Sequence, residues 1–127
     1  MTTFAIVRFR VPGIHYWPGP PKHRQYLLNA HRHLFHVECG IEVKHNDREI
    51  EFQDLLDRAQ HKFMLGGRMS CEMAAKGLLK HLQKRFPERR MYVDVFEDGE
   101  CGARITSEGL DGVPNKKRIR VRSRASS

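Results

Sequence analysis

The stretch His31-Arg32-His33-Leu34-Phe35-His36-Val37-Glu38-Cys39-Gly40-Ile41 alternates between two kinds of side chain. In an extended chain successive side chains point to opposite faces, so about residues 33–44 read as a strand. His33, Phe35, Val37, Cys39 and Ile41 share one of its faces. His31 and His33, at i and i+2, point the same way. A third imidazole from a neighbouring strand would complete a three-nitrogen metal site, and His15 lies upstream in Gly13-Ile14-His15-Tyr16-Trp17. Three protein ligands leave zinc's fourth position open, as a catalytic zinc requires for water or substrate.

Working outward, residues 4–11 alternate well enough for a first strand, which Pro12-Gly13 is expected to break. Residues 18–24 read as a loop, because their prolines cannot continue a ladder. After the Asn46-Asp47 turn signal, Phe52, Leu55, Leu56, Ala59 and Phe63 recur with helical spacing, and Gly66-Gly67 ends the segment. Ser70 is a good N-cap for a second helix carrying Ala75, Leu78, Leu79, Leu82 and Phe86, with Pro87 just beyond it. Residues 91–96 and about 102–106 then read as two strands joined by the Glu97-Asp98-Gly99-Glu100 turn. The expected order is ββααββ, an α+β fold with an antiparallel four-stranded sheet carrying two helices on one face. Its other face must be solvated or buried against another subunit.

At 127 residues the chain is most simply one domain with a sizeable core. No apolar run approaches the ~20 residues of a membrane span, and Arg8 and Arg10 interrupt the only early candidate for a signal core. A cytoplasmic protein without a membrane partner is expected. The three cysteines, Cys39, Cys71 and Cys101, are far apart and form no CxxC pair, so any metal would be held mainly by the eight histidines. The charge of +8 is uneven: residues 1–111 hold 17 basic and 15 acidic residues, and 112–127 hold six basic and no acidic ones. This divides the chain into a domain over 1–111 and a basic tail or edge strand over 112–127. Through residues 116–124 the tail could contact nucleic acid or an acidic partner, or simply keep the chain soluble.

Several motifs together resemble the 6-pyruvoyl-tetrahydropterin synthase and 6-carboxy-tetrahydropterin synthase family. They are His15, His31-x-His33, Glu51-Phe52-Gln53-Asp54-Leu55, Ser70-Cys71-Glu72 and Val93-Asp94-Val95-Phe96-Glu97, in that order over roughly residues 4–106. The resemblance implies the tunnelling fold (T-fold), whose subunits close into homo-oligomeric barrels, trimers or hexamers, with active sites between subunits. It further implies Zn2+ on His15, His31 and His33, and a lyase acting on 7,8-dihydroneopterin triphosphate, in one branch on the route to queuosine and other 7-deazaguanines. Glu97 matches the glutamate that anchors the pterin ring, and Glu72 the one that follows a Thr or Ser.

The chain departs from that pattern in its proton relay. Family members carry a cysteine just before the HxH pair and an Asp-His pair after the first helix. Here residues 25–29 hold no cysteine, and Gln60 replaces the aspartate beside His61. Glutamine can position a histidine, but it cannot stabilise an imidazolium as a carboxylate does. Cys39 is about 20 Å along the strand from His33, too far to substitute. Cys71 is the better candidate, since a helix N-terminus lowers a thiol pKa. Arg8, Arg10, Lys22, His23 and Arg24 could receive a triphosphate, although most read as ordinary surface charges; no glycine-rich phosphate loop is present. The alternative to a lyase is a degenerate T-fold protein that binds a purine-like or pterin-like ligand, or serves as an oligomeric scaffold.

Overall fold

Side-chain parity sorts the first two strands into an inside and an outside. In β1 (Thr3–His15) Ala5, Val7, Phe9 and His15 are buried, and in β2 (His31–Val43) Phe35, Val37, Cys39 and Ile41 are buried. The strands pair antiparallel with Ala5 opposite Ile41 and Phe9 opposite Val37, so both odd-numbered faces look the same way. β3 (Arg90–Glu97) and β4 (Cys101–Glu108) extend the sheet in the order β1-β2-β3-β4, every neighbour antiparallel. The structure, a computed structural model, describes residues 1–109; the expected basic tail or edge strand over 112–127 lies outside them.

Between β2 and β3 the chain forms α1 (Phe52–Lys62) and α2 (Cys71–Arg85). Leu55 and Ala59 of α1 and Ala75, Leu78, Leu79 and Leu82 of α2 are buried against the odd-numbered sheet face. Complete burial of side chains such as Phe35, Ile41 and Leu82 contributes about 1.5–3 kcal/mol each. Ser70 caps α2 as its sequence suggests, its hydroxyl accepting from the Met73 N–H at 3.2 Å. Glu51 caps α1 in the same way, accepting from the Asp54 N–H at 2.7 Å. Phe52, placed on the apolar stripe by spacing alone, is instead exposed on the first turn.

Three boundaries differ from expectation. β1 runs through Pro12-Gly13 to His15, where a break is expected. It has only β2 beside it among the described strands, and alternate N–H groups of such a strand face away from the ladder, so a proline there forfeits no bond. Gly13 serves a different need: a Cβ on it would lie 2.9 Å from the Phe35 ring. The end of the expected loop over 18–24 enters a short 3-10 segment, Lys22–Leu28, and β2 starts at His31 rather than His33. The β3–β4 connection is a tight turn over residues 98–100, with Asp98 at φ 54° and Gly99 at φ 73°, closed by the Glu100 N–H on the Glu97 carbonyl at 3.0 Å.

The opposite sheet face is polar at its centre. Arg8, Glu38, Asp94 and Arg104 stand in register across all four strands. Arg104 grips Asp94 at 2.6 and 2.8 Å, Arg8 pairs with Glu38, and the Tyr92 hydroxyl donates to Glu38 at 2.6 Å. Two carboxylates and two guanidiniums thus neutralise one another in a single row.

Candidate metal centre

Where β1 ends and β2 begins, the core-facing side of the sheet carries three imidazoles. Register places His15 directly opposite His31, while His33 lies opposite Gly13. Their ring centroids lie 4.5 Å (His15 to His31), 4.9 Å (His31 to His33) and 5.5 Å (His15 to His33) apart. One nitrogen from each falls within 4.8 Å of the others, so the three could hold a metal ion. Phe35 forms the floor, its ring edge-on to His15 at 5.2 Å and to His33 at 5.8 Å. The glycine at position 13 leaves room for that ring.

Each imidazole is oriented by its second nitrogen. His15 Nδ1 lies 3.0 Å from the Met69 carbonyl, and His31 Nδ1 lies 3.0 Å from the Asn29 carbonyl. His33 Nδ1 lies 2.7 Å from Asp98 Oδ2. Carbonyl and carboxylate oxygens only accept, so all three Nδ1 atoms donate and a neutral ring keeps its lone pair on Nε2. This is the arrangement by which protein acceptors fix the tautomer of metal-binding histidines. The connection between the helices is tied down beside it: the Tyr16 N–H donates to the Gly67 carbonyl at 2.8 Å, and His15 bridges Gly67.

The fit to a cation shows most directly at His15. Its Nε2 is buried and has no hydrogen-bond partner. It lies 3.2 Å from Glu97 Oε1, while His33 Nε2 lies 3.6 Å from Glu97 Oε2. With the Nδ1 proton committed to Met69, a lone pair and a carboxylate face each other, and a positive charge between them removes the conflict. Three imidazole nitrogens with one adjacent carboxylate are a donor set that could hold a metal cation.

Glu97 is the last residue of β3, one residue before the turn, and reaches the imidazoles because it shares their face. Cys71, the first residue of α2, places its thiol 3.9 Å from Glu97 Oε1. The helix N-terminus does not make it a low-pKa thiol, contrary to the expectation from sequence. Burial, followed by the charges of Glu97 and Glu72, pushes it up to about 12. Glu72 is exposed on the same first turn, and Cys39 sits deep in the core, where burial pushes its thiol up to about 12 as well.

His61 takes a different place. Exposed near the end of α1, it lines a cavity of about 740 Å³ with Arg58, Arg85 and Phe86, while the three imidazoles gather around Phe35. Arg8 and Arg10, considered as triphosphate receivers, lie on the sheet face opposite the imidazoles. Lys22, His23 and Arg24 are exposed on the 3-10 segment. Asp98 is the side chain of this centre that sequence inspection missed; its signal was present, an acidic turn residue directly after Glu97, and it contacts His33 and the Leu34 N–H. The Met69 and Asn29 carbonyls leave no such trace.

A scan against protein-family models finds no match to this chain, and a search of curated proteins finds none either.

Proposed function

We propose that this chain is a zinc-dependent, pterin-processing lyase of the tetrahydropterin-synthase type, built on the tunnelling fold. The observation that carries this is the convergence of three Nδ1-anchored imidazoles on the Glu97 carboxylate, with His15 Nε2 buried and unpartnered. His15, His31 and His33 would hold the ion. When bound, zinc supplies Lewis acidity, polarising a carbonyl or hydroxyl oxygen at the open position. Glu97 accepts the paired N–H donors of a pterin ring edge, a geometry that two carboxylate oxygens match. The Cys71 thiol stays protonated and donates to Glu97, which helps to orient that carboxylate. Met69, Asn29 and Asp98 keep each imidazole in the metal-binding tautomer.

A specific observation also favours ligand binding without turnover. Cys71 is held protonated and His61 lies outside the imidazole cluster, so the described residues bring no second proton-transfer group beside Glu97. One experiment addresses both possibilities: metal analysis of the purified protein combined with turnover of 7,8-dihydroneopterin triphosphate. One zinc per chain with turnover is the expected result. Zinc without turnover, but with pterin binding that disappears in Glu97→Ala, would identify the binding protein. Absence of stoichiometric metal would overturn the site itself.

A further inference from the structure

The charges of residues 1–111 nearly cancel in sum, but they are unevenly placed: Asp54 and Asp57 share a cavity with Arg58 and Lys62, whereas α2 beyond Glu72 carries basic residues only. Residues 58–85, covering the end of α1, the connection and all of α2, contain seven lysines and arginines and one acidic residue, Glu72. The rest of 1–111 contains ten basic and fourteen acidic residues. Pairing follows the same division. Arg8, Arg89 and Arg104 each hold a carboxylate, whereas no ion pair among the described residues uses a lysine or arginine of 58–85.

Lys76, Lys80 and Lys84 are exposed and recur every fourth residue of α2. They make one stripe, with about 6 Å along the axis between successive lysines. From α1, Arg58 approaches α2, its Nη1 3.5 Å from His81 Nε2, and Lys62 follows one turn later. His81 is held below the ordinary imidazole range by burial and by the charges of Lys62, Arg58 and Lys84. The positive fields of the two helices therefore merge around it.

We propose that this helical layer is a docking surface for the phosphodiester backbone of nucleic acid, bound without regard to sequence. Evenly spaced cations left without carboxylate partners match a periodic polyanion, and lysines act on phosphate as point charges. A lipid surface would also need apolar side chains on the same stripe. Met73, one turn before Lys76, is the single exposed large apolar side chain of α2, and between Lys76 and Lys84 the only exposed residue other than Lys80 is Gly77. The surface uses none of the imidazole-site residues, so it stands or falls independently of the metal. It is also separate from the basic tail over 116–124.

The test is fluorescence anisotropy of the full chain with a labelled mixed-sequence DNA duplex of about 20 base pairs, from about 50 to 200 mM salt. Five phosphate contacts, from Arg58, Lys62 and the lysine stripe, give a slope of log K against log salt of about −4.5. K76E/K80E/K84E is expected to weaken binding at least tenfold and to remove about 2.7 from that slope, with zinc content and circular dichroism unchanged. K76Q/K80Q/K84Q, which adds no negative charge, gives a smaller loss in the same direction. A tail variant, R118A/R120A/R122A/R124A, retains binding that the lysine substitutions then abolish. The proposal is overturned if the full chain does not bind at low salt, or if the lysine variants bind like the wild type. Displacement of the duplex by polyglutamate as readily as by unlabelled DNA would equally overturn it, pointing to an acidic protein partner.

Discussion

Asp98→Asn separates the metal centre from the fold around it. Asp98 spends one carboxylate oxygen on the Leu34 N–H at 2.9 Å and the other on His33 Nδ1 at 2.7 Å. Asparagine offers a single acceptor oxygen, so it can serve one of these donors and not both. If that oxygen stays with Leu34, the amide NH2 meets Nδ1, and the imidazole must move its proton to Nε2. That is the nitrogen the metal needs. Outer-shell partners of ligating histidines are worth about 10- to 100-fold in metal affinity, and the variant is predicted to bind zinc more weakly by that factor. The backbone is spared, because Asp98 sits at φ 54° and asparagine is among the few other residues that accept it. The assay is a zinc titration of metal-free protein against a chromogenic chelator near neutral pH, beside urea unfolding of the metal-free forms. The expected outcome is weaker zinc binding with an unchanged urea midpoint. Equal zinc affinity in both proteins would refute the role of Asp98, and so would a fall in metal-free stability large enough to account for the loss.

Two further predictions rest on other parts of the molecule. Cys101 is exposed, whereas Cys39 and Cys71 are buried with thiols pushed up to about 12, so iodoacetamide near neutral pH should place one adduct, on Cys101. Rapid modification of Cys71, read by mass spectrometry, would contradict its environment here. Glu49 accepts from Arg89 Nη2 at 2.5 Å and from the Lys44 N–H at 2.5 Å, and these contacts, the arginine's first, hold its carboxyl down from 4.5 to about 2. The unfolded chain then binds the proton more readily, so the stability Glu49 contributes is present above about pH 4.5 and is lost as the pH falls towards 2. Urea midpoints of the wild type should therefore fall more steeply across that window than those of Glu49→Gln; parallel curves would rule the effect out.

The parity of residues 33–41 was enough to orient the sheet, because a one-residue slip would have turned Phe35, Val37, Cys39 and Ile41 out to solvent together. The helices were legible for the same reason, through the spacing of Leu55 and Ala59 and of Leu78, Leu79 and Leu82. Pro12 was misleading because proline's cost depends on which neighbour a strand has, and a sequence does not state the neighbour. The three imidazoles could be grouped from spacing, yet their being opposite depends on a register that only the pairing of β1 with β2 reveals. The thiol of Cys71 shows the limit of a local rule. A helix N-terminus lowers a thiol pKa, but burial beside Glu97 opposes it and wins.

The place of His15 at the very end of β1 ties the ion to the mechanics of the sheet. Its ligands would come from the edge strand and the strand beside it, and Asp98 at the β3–β4 turn steadies one of them. A bound ion would therefore staple the end of β1 to the start of β2. Without it, the last residues of β1 are held mainly by their ladder with β2 and the short bridge at Gly67. Fraying there becomes a gauge of occupancy: amide exchange over residues 11–15 should slow when zinc is added, while exchange in the centre of β2 keeps its rate.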